Sequence, residues 1–293
     1  MAAFVLWRAL HGLSFAQVAA DIARWGPSRI AGALTLAGGC YVMLALNEQV
    51  GLRWAGAKVR LGQGLFASFV SIAFANNIGM GVLMGGALRA GLYARYNLSL
   101  TQVAKVTLYG TATFSLGASL LAGASFLRAP SAAFALLHLR PDVGRLLGAA
   151  LVLAPGLYVL VCGLTQKPLN ALGRSFQPPH PLMALAQIGF GLTDVALSAA
   201  LMWLLLGDAS PQFAAFLGAY LISMVAGLMS GVPGGVGVFE GVMLTLLPSV
   251  DRAALAAALI GYRLFFYLTP LACAALLLAV RRAPLPEPPT PEA

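Results

Sequence analysis

Charge is what this chain has least of. Of its 293 residues, 18 are Lys or Arg and 9 are Asp or Glu, or 9% in all. A soluble domain carries about 25%, so this chain could not cover a water-facing surface of its own size. That excludes a cytosolic enzyme and a soluble nucleic-acid binder, in spite of a net charge of +9. Cysteine and histidine are just as scarce, at three each. Cys40, Cys162 and Cys273 are isolated in apolar runs. An odd number with no C-x-x-C spacing excludes a disulfide framework and a zinc site. His11, His138 and His180 lie far apart, with no second ligand-type residue four positions on, so no metal centre is expected. Nucleotide signatures are missing too. The run GGVGVFEG has Glu240 where G-x-G-x-x-G needs its third glycine, and neither Lys-Ser nor Lys-Thr follows. No cofactor is expected.

What remains is hydrocarbon. Apolar residues make up 60% of the chain, which also excludes a disordered protein. A spanning helix needs about 20 mostly apolar residues to cross a core about 30 Å thick. Such runs fall near 30–50, 64–88, 103–127, 145–164, 182–206, 212–230 and 253–280. A shorter run, Ala2–Leu13, carries Arg8 and lacks a small-residue cleavage site, so it reads as a shortened first span. An interfacial helix is expected around Phe15–Trp25. The expected fold class is therefore all-α: a polytopic integral membrane protein with seven or eight transmembrane helices and a broken re-entrant element near 231–248. Residues 1–280 form one transmembrane domain. Residues 281–293, rich in proline, are expected to be a disordered tail. With eight spans, the cations of the connecting segments divide eight against eight between the two sides, so the positive-inside rule sets no orientation.

Two stretches interrupt the apolar runs. Residues 74–93, FANNIGMGVLMGGALRAGLY, hold Asn76, Asn77, Gly79, Gly81, Gly85, Gly86, Arg89 and Tyr93. Residues 227–244, GLMSGVPGGVGVFEGVML, hold Gly231, Pro233, Gly234, Gly235, Gly237, Glu240 and Gly241. Paired Gly/Pro-broken segments in the two halves of a chain point to a midplane substrate site. Proline removes a backbone donor, and glycines do not resist unwinding. Unwound backbone is tolerated at that depth only where protein or water surrounds it. A half-helix starting near Val236 would aim its free N–H groups into such a cavity, where an anion is the natural occupant. Gly81 and Gly85 also form a G-x-x-x-G pair, which helix packing alone would explain.

Ionisable groups at bilayer depth cost at least about 2.5 kcal/mol each, which makes them functional candidates. They are Asp194, Glu240, Arg263, Glu48 and Arg89. Of Asp194 and Glu240, one can pair with Arg263, while the other stays protonated or meets something else. Glu48 and Arg89 could instead extend along their stems to the interface. The fork-shaped guanidinium groups of Arg89 and Arg263 suit a phosphate. Tyr93 and Tyr262 stand close to them in sequence, placed to bond phosphate oxygens or to mark the interface.

The stretch NNIGMGVLMGGALRAGLYARYNLSLTQVAKV (76–106) and the later GVPGGVGVFEGVMLTLLPS (231–249) with LIGYRLFFYLTPL (259–271) resemble the two ordered signatures of one family. That family is the flippase, or transmembrane, domain of bacterial lysylphosphatidylglycerol synthases, the multiple peptide resistance factor group. The resemblance covers roughly residues 4–280. It implies an inner-membrane, multi-pass protein that translocates an anionic or aminoacylated phospholipid. It places Glu48, Arg89, Glu240 and Arg263 at the headgroup. The family more often has Asp where this chain has Glu48. The soluble synthase domain is missing, so lysyl transfer is not expected. The alternatives are an accessory subunit for a separate synthase and a membrane-embedded headgroup transferase, for which Asp194 with Glu240 is the candidate acid–base pair. A homo-oligomer is also compatible with the family.

Overall fold

The computed structural model describes residues 15–78, 81–128, 140–165, 169–171, 174–176 and 178–280. The run Ala2–Leu13 and the tail 281–293 lie outside the described residues. Among those described, the chain is helical apart from one small antiparallel hairpin, β1 (Leu169–Ala171) and β2 (Arg174–Phe176). The expected interfacial helix is present as α1 (Phe15–Ala23).

Three helices open on proline: α2 (Pro27–Trp54), α6 (Pro141–Leu164) and α7 (Pro181–Leu206). A first-turn proline loses no hydrogen bond, because that N–H has no intrahelical partner. Between them lie α3 (Leu61–Ile78), α4 (Gly81–Ala94) and α5 (Leu100–Arg128). After α7 come α8 (Phe213–Met229), α9 (Val238–Leu246) and α10 (Arg252–Tyr262). A π-helical stretch, Arg263–Leu268, then leads into α11 (Thr269–Val280). Among the described residues, five stretches are long and apolar enough to cross a membrane: Pro27–Trp54, Leu100–Arg128, Pro141–Leu164, Pro181–Ala209 and Arg252–Val280.

Packing contacts give the direction of each helix. Take α2 as rising from a lower to an upper face. Gly51 lies against the Tyr109 ring and Asn47 bonds Thr113, so α5 descends beside α2. Gly123 meets Gly148 and Val152, and Ser119 bonds the Leu151 carbonyl, so α6 rises antiparallel to α5. Gly32 meets Leu204 and Gly39 meets Leu197, so α7 descends, antiparallel to α2. Gly117 and Gly191 bring α5 and α7 into direct backbone contact. Small residues at a crossing are what permits this in lipid, where tight van der Waals packing has to replace a hydrophobic drive.

The runs 64–88 and 212–230 differ from the expected spans. The first is two helices, α3 and α4, of 18 and 14 residues. Tyr93 on α4 packs with Ala67 near the start of α3, and with Leu52, Ala55 and Val103 at the upper face. Both arms therefore begin and end at that face. The run 212–230 is α8, the first arm of a second hairpin. There Gly227 faces Gly235 and Phe239, and the Tyr220 ring meets Phe239, so α9 folds back along α8. This hairpin leaves and rejoins the chain at the lower face. The expected broken element is thus one arm of a hairpin, with a counterpart in the first half. A hydropathy run cannot tell an arm from a span, because both must be apolar.

The chain is therefore built twice. Helix α2, hairpin α3–α4 and helix α5 form one unit. Helix α7, hairpin α8–α9 and the α10–α11 helix form the other, upside down. Such inverted halves are a recurring plan of transporters. The main apolar core lies where α1, α7, α8, α9 and α10 meet, around Leu201, Met202, Phe216, Met243 and Leu255.

Candidate functional site

The tips of the two hairpins meet at mid-depth. A Cβ added to Gly234 would lie 3.6 Å from the Asn76 carbonyl oxygen. Gly235, at φ 62°, leaves no room either, since its Cβ would sit 3.0 Å from Gly227 Cα. The backbone conformation and the close approach both require glycine there. Beside this junction is a cavity of about 640 Å³. Glu48, Arg89 and Asp194 line it, with Asn47, Asn76, Thr107, Thr111, Thr113 and Ser198 as further polar groups. Gly234, Gly235, Phe239, Tyr262 and Tyr267 complete the wall on the side of the second unit.

Each unit contributes one buried ion pair. In the first, Arg89 Nε and Nη2 donate to Glu48 Oε2 at 3.1 and 2.8 Å. Tyr93 Oη donates to Glu48 Oε1 at 2.7 Å. Glu48 is 4% exposed. Neither partner extends to the interface, because each is the other's counter-ion. In the second, Arg263 Nε and Nη2 donate to Glu240 Oε1 at 2.8 and 2.6 Å. Arg263 Nη1 donates to the Gly234 carbonyl at 2.5 Å, and the guanidinium lies over the Tyr267 ring, 4.7 Å from its centroid. This pair sits behind Gly234, Phe239 and Tyr267 rather than on the cavity wall.

The α9 half-helix starts at Val238, two residues beyond Val236, and its end is not free. Glu240 Oε2 accepts from the Gly237 N–H at 2.7 Å. The anion expected at this helix start is supplied by the protein's own carboxylate, which also holds Arg263. Pro233 opens the 3-10 turn Pro233–Gly235 that separates α8 from α9, and Gly81 is the first residue of α4.

The π-helical stretch widens one helical turn behind the second pair. Pro270 removes a backbone donor there, and side chains supply others. Tyr41 Oη donates to the Phe266 carbonyl at 3.2 Å, and Asn77 Nδ2 to the Tyr267 carbonyl at 3.2 Å. The first unit is thereby tied to the irregular backbone of the second.

Asp194 stands apart from both pairs. It is 8% exposed, and its Oδ1 is buried with no hydrogen-bond partner. Of the two carboxylates considered for Arg263, Glu240 is the partner and Asp194 is not. Asp194 lines the cavity, whereas Glu240 lies behind its wall, so the two carboxylates do not share that space. Among the described residues no group of three His, Cys, Asp or Glu could hold a metal ion.

The structure thus brings Glu48, Arg89, Asp194 and Tyr262 to one cavity. Tyr93, Glu240 and Arg263 stand directly behind its wall. Thr113, Ser198, Thr107 and Thr111 were not singled out from sequence. Their signal was spacing: Thr107 with Thr111, and Asp194 with Ser198, stand four apart and share one helix face.

Against this geometry, the family described as lysylphosphatidylglycerol synthase TM region matches residues 1–274. The chain belongs to that family. It is 33% identical over 270 residues to the uncharacterized protein slr0712 of Synechocystis sp., covering 91% of this chain and 84% of the relative. It is 29% identical over 237 residues to the inner membrane protein YbhN of Escherichia coli, covering 80% of this chain and 72% of YbhN. These relatives are named for their membrane location or left without an activity. The family places the chain among multi-pass membrane proteins, in agreement with its five long apolar helices.

Proposed function

We propose that this protein is a bacterial inner-membrane lipid translocator, which passes the headgroup of an anionic or aminoacylated phospholipid through the central cavity. The observation that carries this reading is the meeting of two broken hairpins, inserted from opposite faces, beside a cavity with charged side chains at mid-depth. Hydrocarbon excludes a bare phosphate, so a headgroup crossing the bilayer needs polar groups along its way while the acyl tails stay in lipid. Arg89 is the cavity's cation and the first contact for phosphate. Arg263 is the reserve behind the wall, reached when Glu240 gives up its hold. Each ion pair is neutral when closed, so neither guanidinium stands as an isolated buried charge. A headgroup phosphate competes with Glu48 for Arg89, and the displaced Glu48 keeps the Tyr93 hydroxyl as its donor while a cationic headgroup part takes the place of the guanidinium.

The test is reconstitution into vesicles with fluorescently labelled phosphatidylglycerol, followed by reduction of the outer-leaflet label. Wild type should move lipid at least tenfold faster than protein-free vesicles, and Arg89→Ala should lose most of that gain. Equal rates with and without the protein would refute the reading. Wild-type rates in both Arg89→Ala and Arg263→Ala would remove the assigned roles.

A further inference from the structure

The cavity holds three carboxylate or guanidinium groups among its described wall residues, and two of them, Glu48 and Arg89, neutralise each other. The third, Asp194, has no counter-ion among the described residues. The groups facing it come from every helix packed around this part of α7. From α2 there are Cys40 and Tyr41, with Cys40 Sγ 3.7 Å from the Asp194 carbonyl oxygen and 3.5 Å from Ser198 Oγ. From α5 come Thr113 on the cavity wall and Tyr109, whose hydroxyl is spent on the Met183 carbonyl. From α8 and α10 come Tyr220 and Tyr262, whose hydroxyls bond each other at 2.7 Å. None of these is a lysine, arginine or histidine. An ionised carboxylate in such a place is costly, yet a hydroxyl, amide or leucine would fill the space without the cost.

The geometry points to Asp194 as a proton-carrying site: its carboxylate binds one proton from water in the cavity and releases it to water later in the cycle. One Oδ–H bond forms and then breaks, with nothing oxidised or reduced. A metal cation fits less well. It needs a shell of several oxygens, whereas among the described residues no group of three His, Cys, Asp or Glu stands here. A proton needs one oxygen. Glu48 and Glu240 are unsuited to this role, since each is held by an arginine through two hydrogen bonds. That the proton drives lipid movement rests on the translocation reading; that Asp194 binds it does not.

Two measurements separate these claims. The first is an infrared titration of the full chain in phosphatidylglycerol vesicles, wild type against Asp194→Asn, reading the carboxylic-acid carbonyl band. The expected difference is one titrating carboxyl per chain between mildly acidic and mildly alkaline buffer, unchanged when sodium replaces choline at fixed pH. No difference between the two proteins, or a band displaced by sodium, overturns the proposal. Should Asp194→Asn fail to fold, Asp194→Glu keeps a carboxyl at the cavity on a longer stem and is expected to move the position and midpoint of that band. An unmoved band counts against the site. The second measurement is labelled-lipid movement with an imposed pH gradient. A severalfold change in wild type, absent in Asp194→Asn, supports coupling. Gradient-insensitive movement with an intact titration removes the coupling and keeps the proton site. No lipid movement at all, with an intact titration, removes the translocation reading and keeps the proton site.

Discussion

Glu240 does two things with two oxygens. Oε1 takes both donors of the Arg263 fork, and Oε2 takes the first free N–H of α9. The side chains of the pair are 12% and 18% exposed, so little water screens them. Removing one partner of such a pair leaves the other as a buried, uncompensated charge, at about 3–5 kcal/mol. Loss of a helix cap adds about 1 kcal/mol. A graded series follows. Glu240→Gln keeps one acceptor oxygen, enough for the Gly237 N–H or for Arg263 but not for both, and loses the charge; it fills the same space, so it should destabilise least. Glu240→Ala and Arg263→Ala should each lower thermal stability in detergent much further. The double variant Glu240→Ala/Arg263→Ala should be more stable than the sum of the singles implies, because no orphaned charge remains. Strict additivity in thermal-unfolding measurements would mean that the two side chains do not act as a pair.

At the scale of helices, the tightest contact is made by residues with no side chain. A Cβ on Gly117 would run into the Gly191 backbone, and one on Gly191 into the Thr113 carbonyl. Gly117→Ala and Gly191→Ala should therefore push α5 from α7 and open the cavity wall that Thr113 and Asp194 share. Overpacking of this kind costs about 1–3 kcal/mol or more. Gly189→Ala, two residues away on the same helix with nothing within 4 Å, should be neutral or stabilise slightly, as alanine favours helix. Comparing melting temperatures of the three purified variants checks this, and similar losses at Gly189 and Gly191 would count against the crossing. These glycines were invisible as a contact in the sequence, because Gly117 and Gly191 sit in ordinary apolar runs and the partner of each is over 70 residues away. The broken segments were legible for the opposite reason, since Pro233 and its neighbouring glycines act locally. Charge pairing was legible only in part. The candidates were few enough to name, but Glu48 and Arg89 are 41 positions apart, and only the hairpin brings them together.

For the whole molecule, the decisive question is which segments share a face. An apolar arm that turns back at mid-depth has the composition of a span, so seven runs read from hydropathy do not say which of them cross. With two hairpins in place of crossings, the segment between α2 and α3 lies on the same face as the one between α4 and α5. Likewise the segment after α7 shares its face with the one between α9 and α10. Exposed positions report this: Lys58 and Arg95 for the upper face, Asp208 and Ser249 for the lower. In a background with Cys40, Cys162 and Cys273 replaced by alanine, Lys58→Cys and Arg95→Cys should react alike with a membrane-impermeant maleimide on intact cells. Asp208→Cys and Ser249→Cys should also match each other and show the opposite accessibility. An eight-span arrangement instead separates Lys58 from Arg95, and Asp208 from Ser249, so opposite labelling within either pair would replace the hairpins by full crossings. The meeting of the two broken tips depends on that outcome. Hairpins inserted from opposite faces reach the same depth at their glycine-rich turns, and one unit then supplies the Arg89 pair to the cavity wall while the other holds the Arg263 pair behind it.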